Sequence, residues 1–179
     1  SRYFSVFDPE QSYEKFDGVT ARVMVEATDP PREKGKVTLV HEFMDLTEMP
    51  RNAWQYLPGT RRVRRAPTIA YDFPDGPGGL RTVDDALAFI GATDRYDWKI
   101  EGTREIFIPY NGYEMDDPKH TYKDIATVNH PNPDFMRYEL HRVWVVVATL
   151  REGKRHIYAK RRLYLDEDTW AALLADNYD

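Results

Sequence analysis

The chain has 179 residues, a formal net charge of -5 and no cysteine. This length favours one compact domain, and we predict a single domain over residues 1–179. The lack of cysteine excludes disulfides, thiolate nucleophiles and thiolate metal sites, and the acidic balance argues against a general nucleic-acid-binding protein.

Most of the chain is predicted to form β-strands, because apolar and β-branched residues alternate between turn-prone segments. The central part of the longest run is apolar on both faces, which is typical of a strand covered on two sides. Gly102 and Thr103 are predicted to form the turn of a hairpin. The predicted strands cover residues 20–27, 37–44, 53–57, 61–65, 96–101, 104–108, 137–150, 156–165 and 170–175.

One amphipathic helix is predicted over residues 82–91, and a shorter helix over residues 134–136. Thr82 has the character of an N-cap, and acidic residues in the first turn suit the helix dipole. Gly91 is a suitable stop. The expected fold is therefore mainly β with minor α: an antiparallel sheet that curls, with the helix filling its concave side.

The sequence lacks the motifs of common catalytic and cofactor sites. It has no G-x-S-x-G nucleophile elbow and no glycine-rich phosphate loop. Asp116, Asp117 and His120 offer metal ligands within one loop, although a solvated acidic loop is the favoured interpretation. Glu139 and His141 form either an acid/base pair or, as we favour, a polar cross-strand ladder. We therefore predict no enzyme activity, no cofactor and no metal.

Four arginines follow the turn at residues 58–60: Arg61, Arg62, Arg64 and Arg65. In a strand starting at Arg61, Arg61 and Arg65 would share one face, and Arg62 and Arg64 the other. One interpretation is the solvated face of a hairpin, with arginine stems lying on aromatic rings. The other is an electropositive rim that docks an anionic lipid head group or an acidic partner.

Four segments carry a family resemblance: "RNAWQYLPGTRRVRRAPTIAYD", "GLRTVDDALAFIGATDRYDWKIEGTREIFIPYN", "RYELHRVWVVVATLREGKRHIYAKRRLYLDEDTW" and the closing "ADNYD". They resemble the domain-of-unknown-function family 1329 from about residue 20 to the end of the chain. That family is similar in architecture to the LolA- and LolB-like outer-membrane lipoprotein-sorting proteins. Its members are longer on both sides, which implies that this chain is an excised part of a longer protein.

The resemblance implies a curved antiparallel half-barrel of LolA/LolB type with a helical plug, in the periplasm or cell envelope of a Gram-negative bacterium. It also implies a lipid or other apolar ligand, and an exporter of the resistance-nodulation-division type as a partner. No catalytic residue is carried over from the family. No apolar run approaches the roughly 20 residues that a membrane-spanning helix needs.

We consider three functions. The first is a lipid or apolar-ligand carrier, because about 0.8 kcal/mol per buried methylene can hold an acyl chain without catalytic machinery. The second is an interaction module that docks through a sheet edge or the arginine rim. The third, less favoured, is a hydrolase or metal enzyme built on the polar groups above. The residues predicted to line a ligand hollow are Val25, Phe43, Trp54, Tyr56, Leu87, Phe89, Trp98, Phe107, Trp144 and Tyr158.

Overall fold

The computed structural model describes residues 2–4, 9–10, 12, 15, 17–66, 72–75, 79 and 81–179. Chain contacts divide the protein into two compact units, Ser1–Arg95 and Tyr96–Asp179. Each unit contains one large antiparallel sheet, so the prediction of a mainly β protein is confirmed. The assignment of residues 1–179 to a single domain stays a prediction.

The first unit contains a five-stranded antiparallel meander in which each strand pairs with the next. Its strands are β1 (Arg2–Phe4), β2 (Val19–Glu26), β3 (Val37–Phe43), β4 (Asn52–Leu57) and β5 (Arg62–Arg65). The predicted strands from residue 20 to residue 65 therefore all form, and their ends shift by no more than one residue. The period-two pattern was sufficient there because each strand pairs with its neighbour in sequence.

Short elements follow this sheet. Strands β6 (Pro74–Asp75) and β7 (Arg81–Thr82) form a two-residue ladder. Two 3-10 helices come next, at Val83–Asp85 and Thr93–Arg95.

The predicted helix over residues 82–91 is wrong. Its start is present, because the Thr82 backbone N–H donates to the Asp85 carboxylate at 2.7 Å. The chain then leaves the helical region, with φ of 52° at Leu87 and 69° at Ala88. The N–H of Ile90 donates to the carbonyl of Asp84, so the segment closes a compact turn around a buried carboxylate. This segment therefore supplies no helical plug.

The second unit contains a four-stranded antiparallel sheet in the order β11-β10-β9-β8. The strands are β8 (Tyr96–Pro109), β9 (Tyr138–Leu150), β10 (Lys160–Asp166) and β11 (Ala172–Tyr178). The predicted final strand at 170–175 begins two residues later and extends further than expected. The strand predicted over residues 156–165 begins four residues later than predicted, at residue 160.

The connection between β8 and β9 carries the other helical elements. These are a 3-10 helix at Tyr113–Asp116, the four-residue α1 at Tyr122–Ile125, and a 3-10 helix at Pro133–Phe135. The last replaces the short helix predicted over residues 134–136, and the first two were not predicted.

The predicted hairpin at Gly102 is also wrong. Residues 96–109 form one continuous strand, and the pairing register with β9 shifts between Ile100 and Gly102. Gly102 has a φ of 115°, which side chains with a Cβ rarely adopt. A bulge and a tight turn both require such a residue, so the local sequence does not separate the two.

The four-stranded sheet is strongly curled. Cα atoms of its two edge strands, β8 and β11, come within 8 Å of each other. In a flat sheet these strands would lie about 14 Å apart, because adjacent strands are spaced by about 4.8 Å. The prediction of a curved antiparallel sheet holds for this unit, and neither large sheet closes into a barrel within the described ranges.

The core of the second unit lies along β9. Val143, Val145 and Val147 are buried on one face, and Ala148 is buried on the other. The prediction that the centre of this strand is covered on both sides holds fully for one face only, because Trp144 and Val146 on the other face are half-buried. None of the helices in the described part of the chain is long and apolar enough to cross a membrane.

Candidate ligand-binding face

One face of the second sheet collects three of the predicted ligand-lining residues. Trp98 lies opposite Ala148, Trp144 lies opposite Thr103, and Phe107 lies opposite Leu140. Ala148, Trp144 and Leu140 are separated by even numbers of residues along β9, so all these side chains share one face. We call it the apolar face.

The bulge at Gly102 creates this arrangement. Trp98 and Phe107 are nine positions apart, and regular alternation would place them on opposite faces of the sheet. The register shift between Ile100 and Gly102 reverses the alternation once, so both side chains reach the same face. Gly102, which was predicted to form a turn, is therefore the residue whose bulge brings Trp98 and Phe107 onto one face.

The apolar face leaves large side chains exposed. Ile100 is 64% exposed, Phe107 66% and Leu140 57%. Trp144 is half-buried, and its indole Nε1 has no hydrogen-bond partner among the described residues. Phe107 and Leu140 are cross-strand neighbours, and Ile100 lies further along the same face, opposite Val146. Exposed apolar side chains on one face are typical of a binding surface, because apolar surface gains free energy when it is covered.

A charged row divides the apolar face. Glu105 lies opposite Arg142, between the Phe107–Leu140 pair and the two tryptophans. The Arg142 Nε donates to the Glu167 carboxylate at 2.5 Å, and this contact raises the pKa of the arginine. The face is therefore amphipathic.

In the first unit, Phe43, Trp54 and Tyr56 share one face of the five-stranded sheet. Trp54 lies opposite Leu39, Tyr56 lies opposite Val37, and alternation along β3 puts Phe43 on that face too. Val25 belongs to the other face, because it lies opposite Thr38 rather than Leu39. Val25 therefore cannot line the same surface as the three aromatic side chains.

The other predicted lining residues lie outside the two large sheets. Leu87 is 86% exposed in the turn that replaces the helix. Phe89 is half-buried, and its Cε2 atom would lie 3.0 Å from a Cβ built on Gly91. Tyr158 is half-buried ahead of β10, within a cluster around Arg161.

Arg161 is fully buried in the second unit, with 0% of its surface exposed. Its guanidinium carbon lies 4.8 Å from the centre of the Tyr158 ring, and its Nε donates to the Tyr96 hydroxyl at 3.4 Å. Sequence reasoning missed this cluster. The available signal was alternation along β10, because Arg161 shares a face with Leu163, which is also buried.

A polar cluster surrounds His141. Its Nδ1 donates to Asp166 at 2.9 Å, and its Nε2 lies 3.7 Å from the Glu139 carboxylate. The bond to Asp166 raises the pKa of His141, against an opposing effect of burial. Burial acts to raise the pKa of Asp166, but hydrogen bonds from Thr169 and His141 outweigh it, so that pKa is lowered.

This cluster is the one group of three potential metal ligands within mutual reach among the described residues: His141, Asp166 and Asp168. The Asp166 carboxylate already accepts both the N–H and the hydroxyl of Thr169. The cluster is thus a satisfied network that ties β9 to the turn after β10. The sequence had paired His141 with Glu139 but gave no sign of Asp166.

The predicted acidic loop is internally paired. The carboxylate of Asp117 lies 3.0 Å from the Lys119 ammonium, and His120 lies 2.9 Å from Glu114. Asp116 is exposed. The loop therefore does not bring the side chains of Asp116, Asp117 and His120 together at one site.

The four arginines lie on an edge strand. Arg61 occupies the turn with φ of 51°, and the other three belong to β5, which is the edge of the five-stranded sheet. Arg62 and Arg64 share one face and Arg65 the other, as the alternation predicted. All four are exposed.

The family model described as "Protein of unknown function (DUF1329)" matches residues 1–179. The chain belongs to the DUF1329 family. The uncharacterized protein PA3922 of Pseudomonas aeruginosa is 57% identical over 156 residues, which are 85% of this chain and 34% of that protein. This DUF1329 chain therefore spans about a third of the length of that relative.

Two solved structures share the fold of this DUF1329 chain. A DUF1329 family protein from Desulfovibrio piger has a TM-score of 0.52 at 20% identity, over 89% of this chain and 52% of that one. A proposed outer membrane lipoprotein-sorting protein domain from Vibrio parahaemolyticus has a TM-score of 0.52 at 19% identity, over 92% and 53%. Both are about twice as long as the matched region.

Proposed function

We propose that this DUF1329 chain is a non-enzymatic carrier domain of the cell envelope, which binds a lipid or another apolar ligand on its apolar face. The observation that carries the proposal is the group of exposed apolar side chains Ile100, Phe107 and Leu140 on one face of a curled sheet. The fold shared with a proposed lipoprotein-sorting domain supports it. A periplasmic location and an exporter of the resistance-nodulation-division type as partner belong to the same proposal.

Apolar burial alone supplies enough free energy. Each methylene removed from water contributes about 0.8 kcal/mol, so an acyl chain of about a dozen carbons gains about 10 kcal/mol. Association costs at least about 4 kcal/mol in lost freedom of motion. The remaining free energy of about 6 kcal/mol corresponds to a dissociation constant in the range of about ten to a hundred micromolar.

Native mass spectrometry of gently purified protein tests the proposal directly, because a bound lipid adds a defined mass. A fluorescent fatty acid then measures affinity in the lipid-free protein. Phe107→Ser removes an exposed aromatic side chain from the apolar face, so it should weaken binding by about 1–2 kcal/mol, or roughly five- to thirty-fold.

Val128→Ser is the matched control, because Val128 is an exposed apolar residue outside the sheets of the same unit. It should bind the fatty acid like the wild type. Absence of any bound lipid, together with equal affinities of both variants and the wild type, would refute the carrier proposal.

A second candidate is an interaction module that docks by strand addition at β8. This strand has 14 residues and forms an edge of its sheet, whereas β11 has only 7. Much of the outer edge of β8 therefore lies beyond the reach of β11, even though the sheet curls. Unpaired strand edges accept an added strand through their backbone groups.

Hydrogen–deuterium exchange tests this second candidate. The amides of β8 that point away from β9 should exchange quickly in dilute protein, and they should become protected at high concentration if a second copy adds a strand. Fast exchange at every concentration, and with an added envelope extract, would contradict strand addition.

A further inference from the structure

We propose that the hairpin of β4 and β5 docks on an anionic phospholipid surface. We call it the arginine hairpin, defined by Arg61, Arg62, Arg64 and Arg65. Docking through it is independent of the ligand that the apolar face holds.

The arginine hairpin keeps its full positive charge. No described carboxylate forms an ion pair with any of its four arginines. Neutral amides hold two of them instead, because Arg65 donates to the Asn52 side chain at 2.5 Å and Arg64 donates to Gln55 at 3.5 Å. These contacts orient the guanidinium groups without neutralising them.

This charge is concentrated against the balance of the whole chain. The net charge is -5, yet four arginines occupy five consecutive positions on one edge strand and its turn. Charged side chains on an edge strand discourage unwanted strand pairing, but that role does not need four arginines together without a described carboxylate partner. Such a concentration of positive charge indicates an anionic partner.

The placement of the arginines favours an extended surface over a single small anion. Arg62 and Arg64 project from one face of the sheet, and Arg65 from the other. Guanidinium groups on opposite faces cannot converge on one phosphate. A plane of phosphates that meets the strand edge-on can engage both sets at once, through the bidentate geometry that arginine offers.

The hairpin also carries apolar surface that suits a bilayer. Val63 lies between the arginines and is exposed. Beneath the phosphates of a bilayer lies an apolar layer that can accept such a side chain. An acidic polypeptide would offer the charges but not that layer.

Each basic residue close to an anionic leaflet strengthens binding by about five-fold. We therefore expect the wild type to bind vesicles of equal parts phosphatidylcholine and phosphatidylglycerol at least tenfold more tightly than vesicles of phosphatidylcholine alone. Replacing all four arginines by glutamine should remove that difference. Added salt should weaken wild-type binding in the same way, because it screens exposed charges.

The control variant removes four exposed positive charges elsewhere: Lys34→Gln, Lys99→Gln, Arg104→Gln and Lys123→Gln. It has the same net charge as the hairpin variant and should keep most of the preference for anionic vesicles. Both variants should unfold at the wild-type temperature, because the replaced side chains are exposed.

Three results with vesicles would overturn the proposal. These are equal binding to both kinds of vesicle, anionic binding that survives in the hairpin variant, and an equal loss in the control variant. Hairpin-dependent binding of polyglutamate without vesicle binding would also overturn it, in favour of an acidic protein partner.

Discussion

The imidazole Nδ1 of His141 donates to the buried carboxylate of Asp166 at 2.9 Å. Asp166 also accepts the N–H and hydroxyl of Thr169, so one carboxylate joins strand β9 to the turn after β10. This contact raises the pKa of His141 and lowers that of Asp166.

The stability of the protein should fall as the pH rises through the raised pKa of His141. A group whose pKa is raised by folding contributes fully below its unfolded pKa, about 6.5 for histidine, and loses that contribution as the pH passes its folded pKa. Urea unfolding of the wild type and of His141→Gln at about pH 6 and about pH 9 measures this. The wild type should exceed His141→Gln in free energy of unfolding by more at the lower pH. An equal difference at both pH values would contradict the stabilising role of the protonated His141.

Gly102→Ala should destabilise the protein by about 1–3 kcal/mol, because a residue with a Cβ is strained at such a backbone angle. The φ of Gly102 is 115°, and a Cβ built there meets nothing within 4 Å, so strain would be the whole effect. Thermal and urea unfolding measure the change.

Gly112→Ala is the matched control for that substitution. Gly112 also has open space around a built Cβ, but its φ is -79°. The free energy of unfolding of the Gly112→Ala variant should stay within about 0.5 kcal/mol of the wild-type value. Equal effects of the two substitutions would show that residue 102 does not hold the bulge.

Leu87→Gly should leave stability unchanged or raise it by up to about 1 kcal/mol, because glycine relieves the strain of a positive φ. In the helix that the sequence predicts, the same substitution would cost about 1 kcal/mol. Ala86→Gly provides the comparison, because Ala86 has an ordinary φ of -59°. This variant should lose about 0.5–1 kcal/mol of unfolding free energy. A loss of stability in Leu87→Gly as large as that in Ala86→Gly would favour the helix.

Arg161→Met should lower the free energy of unfolding by about 1–3 kcal/mol, because it removes the donor to the Tyr96 hydroxyl and the contact of the guanidinium with the Tyr158 ring. Arg32→Met is the control, since Arg32 is exposed and should change stability by less than about 0.5 kcal/mol. Denaturant unfolding separates the two. Similar small effects in both variants would mean that the Arg161 cluster does not hold the second unit together.

Several elements could be predicted because their signal is local. Strands β2 to β5 and β9 follow from period-two alternation, and the apolar centre of β9 around Trp144 marks the strand that carries the core of its unit. The face assignment of Arg62 and Arg64 required only alternation within one strand.

Other features could not be predicted because they depend on distant contacts. The pairing of residues 96–109 with β9 turns Gly102 into a bulge, and the burial of Asp84 ends the predicted helix after one turn. The burial of Arg161 and the pairing of His141 with Asp166 join segments that are far apart or carry no motif.

The sequence by itself determined where most of the long strands lie, because side-chain alternation along a strand is set by backbone geometry. It also determined that the chain lacks cysteine chemistry and that four arginines cluster in one hairpin. Only the tertiary structure decided that Trp98 and Phe107 share a face, because that depends on where β8 slips by one residue against β9. Strand register is a property of two paired segments, and neither segment specifies it alone.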